Sequence, residues 1–163
     1  MEREKRFLAT HAACHDRVYR YFRRRTDNAA TAEDLCADVF RIAWEKTGQD
    51  ESLPVMVVFG IAKNVLRNHD RSALRASSLL GALQLERDSA RDQDESRIQD
   101  ALSQLGADDR EVLLLTYWDG FTSTEVSDLL NASATAVRMR LHRARKALSR
   151  LLDEETQPLG AKK

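Results

Sequence analysis

The chain has 163 residues, 42% of them apolar, and its 26 basic residues balance 26 acidic ones to a formal net charge of zero. That length suits one domain or two small ones, and so modest an apolar share would be used up by two small helical cores. No apolar run approaches the roughly 20 residues that span a bilayer, and Phe7-Leu8-Ala9 is followed at once by His11, His15 and Asp16, unlike a signal peptide. A cytoplasmic protein with no membrane contact of its own is expected. The neutral total does not argue against nucleic acid, because the charge is segregated. Arginines crowd residues 3 to 25 and 138 to 150, while acids dominate Glu86 to Glu111.

The first helix is marked by Phe7, Leu8, His11, Val18, Tyr19 and Phe22 at helical spacing, and it ends at Arg23-Arg24-Arg25-Thr26-Asp27-Asn28. Thr31 with Asp34 reads as the capped start of a second helix carrying Leu35, Cys36, Val39, Phe40, Ile42, Ala43 and Trp44. Thr47-Gly48 ends it, and the loop from Gly48 to Leu53 is polar and acidic, with Asp50 and Glu51. Ser52 is expected to cap a third helix with Pro54 in its first turn, where a missing N–H costs nothing. Val55, Val58, Phe59, Ala62, Val65 and Leu66 would form its buried face, and Lys63, Asn64, Arg67, Asn68, Arg71 and Arg75 lie mainly outward. The run Val55 to Val58 also suits a strand, but the helical spacing continues to Leu66 and no partner strand is visible.

Cys14 and Cys36 fall within these helices and read as reduced, buried thiols. His11, Cys14 and His15 share one helical face, which makes a metal or thiol sensor conceivable. Without a second paired motif the pattern is weak, so no metal and no cofactor are expected.

Residues 77 to 97 are charge-mixed and poorly patterned, with Gly81 as a breaker. They read as a flexible linker holding at most a short helical piece around Leu79 to Leu85. Ile98, Leu102 and Leu105 open a second block running to residue 155, with a tail over 156 to 163.

The second block carries the strongest signal. Asp108 with Glu111, and Thr122 with Glu125, read as capping-box starts; Asp119-Gly120 stops one helix, and Asn131-Ala132-Ser133 forms a tight turn before the next. In that last helix Val137, Leu141, Ala144, Leu148 and Leu151 give one apolar stripe. Arg138, Arg140, Arg143, Arg145, Lys146 and Arg150 occupy the rest, with no acid from Ser133 through Leu152. A helix-turn-helix whose second helix is basic and opens on Ser133, Thr135 and Ala136 suits a DNA major groove. An ordinary bundle with a solvated basic helix is the plainer alternative. No phosphate loop or nucleophile cluster appears, so no enzyme is expected. The fold expected is all-α: two small helical domains, 1–76 and 98–155, joined by a flexible linker, the second a helix-turn-helix.

Together these segments resemble the extracytoplasmic-function sigma factors of bacterial RNA polymerase, within the sigma-70 family. The resemblance covers roughly residues 5 to 75 and 98 to 152. Ala32 to Lys46 looks like the family's core-polymerase-binding segment, Val58 to Arg71 like its helix for the minus-ten element, and Asp109 to Leu148 like its minus-thirty-five module. The resemblance implies that Asp34, Asp38, Arg41 and Glu45 meet core polymerase. It implies that Lys63, Asn64, Arg67, Asn68, Arg71 and Arg75 hold minus-ten DNA, with a flipped base received by the loop from Gly48 to Leu53. Ser133, Thr135, Ala136, Arg138, Arg140, Arg143, Arg145 and Lys146 would meet minus-thirty-five DNA, Arg138 as base reader. An anti-sigma partner is implied in the same way. Three departures stand out: Val57 where the family often has tryptophan, Asn131 at a turn position usually glycine, and Ser127 at a position usually alanine. A free-standing helix-turn-helix regulator would share the second block, but not the first block's basic and acidic helix faces.

Overall fold

The computed structural model describes residues 1–48, 51–80 and 93–156, and every regular element among them is a helix. Two compact units emerge, Met1–Asp88 and Ser89–Lys163.

The first unit packs α1 (Glu2–Arg23), α2 (Ala29–Lys46) and α3 (Val55–Leu80) against one another. Its core is Cys14, Val18, Tyr21 and Phe22 from α1, Leu35, Cys36, Val39, Phe40 and Ala43 from α2, and Val58, Phe59, Ile61, Ala62 and Val65 from α3. Leu8 does not join it. At about 100° per residue, it stands roughly 125° round α1 from the stripe running through Thr10, Cys14, Val18 and Tyr21, and 56% of it is exposed. Trp44 also sits at the rim, 39% exposed.

The caps differ from the sequence expectation in three places. α2 begins at Ala29, because Asn28 is extended and its side-chain oxygen accepts the Thr31 N–H at 2.8 Å. Thr31 therefore lies inside the first turn and Asp34 in the second. α3 begins at Val55, and the Pro54 carbonyl accepts from the N–H groups of Val57 and Val58 at 3.0 and 3.2 Å. Pro54 thus precedes the helix, and Ser52 lies too far upstream to cap it. In the second unit, Gly106 occupies the N-cap of α5 (Ala107–Leu113) with no side-chain cap, which places Asp108 within the first turn. Its carboxylate still faces the positive end of the helix dipole.

The second unit contains α4 (Gln93–Gln104), α5, α6 (Ser123–Leu130) and α7 (Ala134–Thr156). α5 continues into a π-helical turn over Leu114–Trp118, where the Asp119 N–H donates to the Leu114 carbonyl five residues back. Gly120, at φ +77°, then turns the chain out. Thr122 and Glu125 form the expected capping box, the Thr122 N–H donating to Glu125 Oε1 at 3.0 Å and the Glu125 N–H to Thr122 Oγ1 at 3.2 Å. Asn131 adopts the left-handed conformation, φ 51° and ψ 47°, that the tight turn needs. Ala101, Leu102, Val112, Leu113, Leu114, Leu115, Phe121, Val126, Leu129, Val137, Leu141 and Ala144 make this core.

α3 runs four residues past the expected end of the first domain, and α4 starts five residues before the expected start of the second. Both ends of the expected linker are therefore helical. From Gly81 on, the short helical piece anticipated around Leu79 to Leu85 lies outside the described residues, as do Asp50 and most of the tail.

Candidate nucleic-acid interface

α7 owes its two-sidedness to its sequence pattern. Val137, Leu141 and Ala144 are buried, Leu148 and Leu151 half-buried, and the opposite side is almost wholly exposed. Ser133 Oγ accepts the Ala136 N–H at 3.1 Å, which fixes the helix start. Ser133, Thr135 and Ala136 are exposed there, and so are Arg138, Arg143, Arg145 and Lys146; Arg140 is half-buried beside the apolar stripe. Arg138 lies near Thr135 Oγ1, at 3.5 Å. Arg145 donates to the Tyr117 hydroxyl at 3.0 Å, tying α7 to the π-helical turn. The sequence patterns did not single out Tyr117, because a π turn carries no local residue signature.

On α3, Asn64, Arg67, Asn68, Arg71 and Arg75 are exposed and Lys63 half-buried. They occupy one arc of roughly 140° at 100° per residue, facing away from Phe59, Ala62 and Val65. From Arg71 to Ser77 the helix buries no residue at all. Glu51 and Ser52 are exposed in the loop ahead of it.

Asp34, Asp38, Arg41 and Glu45 are all exposed and share one line along α2, diametrically opposite its buried stripe. Arg41 donates to Glu45 Oε1 at 3.2 Å and approaches Asp38 Oδ1 at 4.0 Å. Such exposed pairs contribute little to stability, typically about 0.3–0.5 kcal/mol in a helix.

The seam between α1 and α2 is aromatic. His11 lies 4.7 Å from His15 and 4.5 Å from Phe40, ring centre to ring centre, and Phe7 meets Trp44 edge-on at 5.2 Å. Burial, with a smaller effect from His15, lowers the His11 pKa below its ordinary value. Burial likewise raises both thiols, against an opposing effect of Arg17 at Cys14, and pushes Cys36 up to about 11. Among the described residues no group of three or more His, Cys, Asp or Glu is placed to hold a metal. At the end of the seam Arg3 stacks on Trp44 at 4.3 Å and donates to the carbonyls of Trp44 and Thr47 at 2.7 and 3.1 Å. It gives the Thr47 carbonyl a donor and adds a second to the Trp44 carbonyl, which also accepts the Thr47 N–H at 3.3 Å. No local pattern marked this role, since the partners are more than 40 residues apart.

Residues 95–148 match the family model described as sigma-70, region 4. The ECF RNA polymerase sigma factor SigL of Mycobacterium tuberculosis is 31% identical over 148 residues, covering 84% of this chain and 83% of SigL. The RNA polymerase sigma factor CarQ of Myxococcus xanthus is likewise 31% identical over 148 residues, 85% of this chain and 84% of CarQ. The "Probable RNA polymerase sigma factor RfaY" of Xanthomonas campestris pv. campestris is 31% identical over 134 residues, but the chain spans only about a third of that protein's length, 34%. Among solved structures, CnrH in complex with the cytosolic domain of CnrY superposes with a TM-score of 0.69 at 25% identity, over 92% of this chain and 89% of that one. The sigma factor RpoE of Bartonella quintana, in complex with the anti-sigma factor NepR, has the same fold, with a TM-score of 0.65 at 22% identity over 92% of this chain and 96% of that one. The likeness to SigL runs through both helical units and is not confined to the helix-turn-helix: the chain belongs to the extracytoplasmic-function (ECF) family of RNA polymerase sigma factors.

Proposed function

We propose that this sigma factor binds core RNA polymerase in the cytoplasm, recognises the minus-thirty-five and minus-ten elements of a promoter, and promotes strand opening for initiation. It does no chemistry of its own. The observation that carries this reading is α7, a helix with a buried stripe on one side and, from Ser133 through Leu152, exposed cations without acids on the other. Cations along a groove-sized helix displace condensed counterions from phosphates, and the residues at its start are positioned to meet base edges.

Arg138 is the base reader in this scheme, since a guanidinium bridges guanine O6 and N7. Arg143 and Lys146 take phosphates, which fixes register without specifying sequence. Arg140 and Arg145 are divided between phosphates and contacts within the protein, as the Arg145–Tyr117 bond illustrates. The α3 arc from Lys63 to Arg75 holds the minus-ten region, its arginines on phosphates and Asn64 and Asn68 on bases. The loop from Gly48 to Leu53 would receive a flipped base, which offsets the few kcal/mol that unstacking costs. Asp34, Asp38, Arg41 and Glu45 are the polymerase-facing set. CnrH and RpoE were each captured with a partner, the latter an anti-sigma factor, and a partner of that kind is proposed for this chain too.

The test is promoter binding by the full chain reconstituted with core polymerase. Arg138→Ala should relax preference at one base pair, by about 1–3 kcal/mol. Lys146→Ala should weaken all sequences alike and flatten the salt dependence. A uniform loss with Arg138→Ala would remove it from the base-reading role.

A further inference from the structure

One residue at the centre of the exposed face of α7 has chemistry that a reading based on charge leaves unused. Thr135, Met139, His142 and Lys146 recur at intervals of four, three and four, so they share one narrow line along the helix, directly opposite the Val137–Leu141–Ala144 stripe. Arg138 and Arg145 flank that line on one side, Arg143 and Arg150 on the other, and all four are exposed. Met139 is 63% exposed in the midst of them. Tyr117 is the other large hydrophobic side chain exposed among the described residues of this unit, and its hydroxyl is engaged by Arg145.

A helix with its side chains is about 10–12 Å across, and the major groove is about 12 Å wide. With Arg145 on one flank and Arg143 and Arg150 on the other reaching phosphates of the two walls, the first turns of the central line, Thr135 and Met139 beside Arg138, meet base edges. Most groups on those edges are hydrogen-bond donors and acceptors. An apolar side chain pressed against them leaves them unpaired and is penalised. The exception is the C5-methyl group of thymine, which an apolar side chain covers favourably. A flexible thioether adapts well to that contact.

We propose that Met139 is a specificity-determining residue that packs against the 5-methyl group of a thymine in the duplex element bound by α7. This rests on the reading of α7 as the minus-thirty-five helix, and the experiment separates the two. The full chain, reconstituted with core polymerase, is used to select its element from random duplexes. Each thymine of the selected site is then replaced in turn by deoxyuridine, which removes only the methyl group. The wild type should lose about fourfold in affinity at one position, the worth of one buried methyl. Met139→Ala should bind the unmodified site several-fold more weakly and become indifferent to that replacement. Met139→Leu should keep the sensitivity. The side chain is exposed, and unchanged circular dichroism confirms that the fold is intact. A Met139→Ala protein as sensitive to every replacement as the wild type overturns the proposal, as does a selected element without thymine. Arg143→Ala and Lys146→Ala report on the reading beneath it. If they weaken every duplex while Met139→Ala behaves as wild type, only the methyl contact fails. If they leave all binding unchanged, the assignment of α7 to DNA fails with it.

Discussion

His11 sits where two penalties on a positive charge meet: partial burial against Phe40 and a second imidazole 4.7 Å away. Its pKa is therefore lower in the folded protein than in the unfolded chain, whose histidines titrate near 6.5. Below that value the unfolded chain takes up the proton more readily, so this contribution to stability is complete above pH 6.5 and is lost as pH falls through the lowered folded value. Groups close to the pair include His15 itself and Asp16, 3.5 Å from the His15 ring nitrogen. Calorimetry between pH 7.5 and 5 should show the melting temperature of the wild type falling more steeply than that of His11→Phe, which keeps a ring against Phe40 but cannot titrate. Equal slopes would mean that His11 is not the responsible proton site. The same burial explains the thiols: with Cys36 raised to about 11, almost no thiolate is present at neutral pH.

At the scale of the element, α2 offers a separable test. Asp34 and Asp38 lie on the side of the helix that buries nothing, so Asp34→Lys with Asp38→Lys should leave the fold intact while reducing core-polymerase affinity by at least tenfold. Pull-down titration measures the affinity, and circular dichroism checks the fold. Unaltered affinity in a folded double variant would sink the assignment. How well each element could be read from sequence depended on the range of the interactions that define it. The apolar stripes of α2, α3 and α7 were legible because burial enforces a 3.6-residue period. The Thr122–Glu125 box and the left-handed Asn131 were legible because both are local hydrogen-bond chemistry. The starts of α2 and α5 were misplaced, because a short polar residue with a carboxylate three residues later also suits positions inside a helix, as Thr31 with Asp34 and Asp108 with Glu111 do. Whether Asn28 or Thr31 caps depends on which of them is extended. Arg3 on the end of α2, and Tyr117 under Arg145, were not legible at all, since each joins separate elements. Met139 was illegible for a different reason: cations dominate the exposed side of α7 and mask the large apolar side chain exposed among them.

For the whole molecule, the division into Met1–Asp88 and Ser89–Lys163 bears on how two weak DNA contacts would combine. If each unit binds its own promoter element, affinity depends on the effective concentration that the connection between them sets. Gly and Ser insertions between residues 81 and 92 should then be tolerated, because closure entropy changes slowly with length, about 0.6 kcal/mol per doubling. Deleting most of that span should abolish open-complex formation by reconstituted holoenzyme while both units stay folded. Full activity after the deletion would show that the units do not reach separate elements.

The π-helical turn at Leu114–Trp118 carries one residue more than an α-helix needs to cover the same rise, and that surplus aims Tyr117 outward and releases the chain toward Gly120. Length matters there more than identity. Conservative replacements at Leu114 or Leu115 would loosen packing, but removal of a single residue would restore ordinary helical winding and swing everything after it by about 100°. Asp119, Gly120 and the entry to α6 would leave that turn in a different direction. A one-residue deletion within the segment should therefore cost the fold far more than a conservative replacement at buried Leu114 or Leu115.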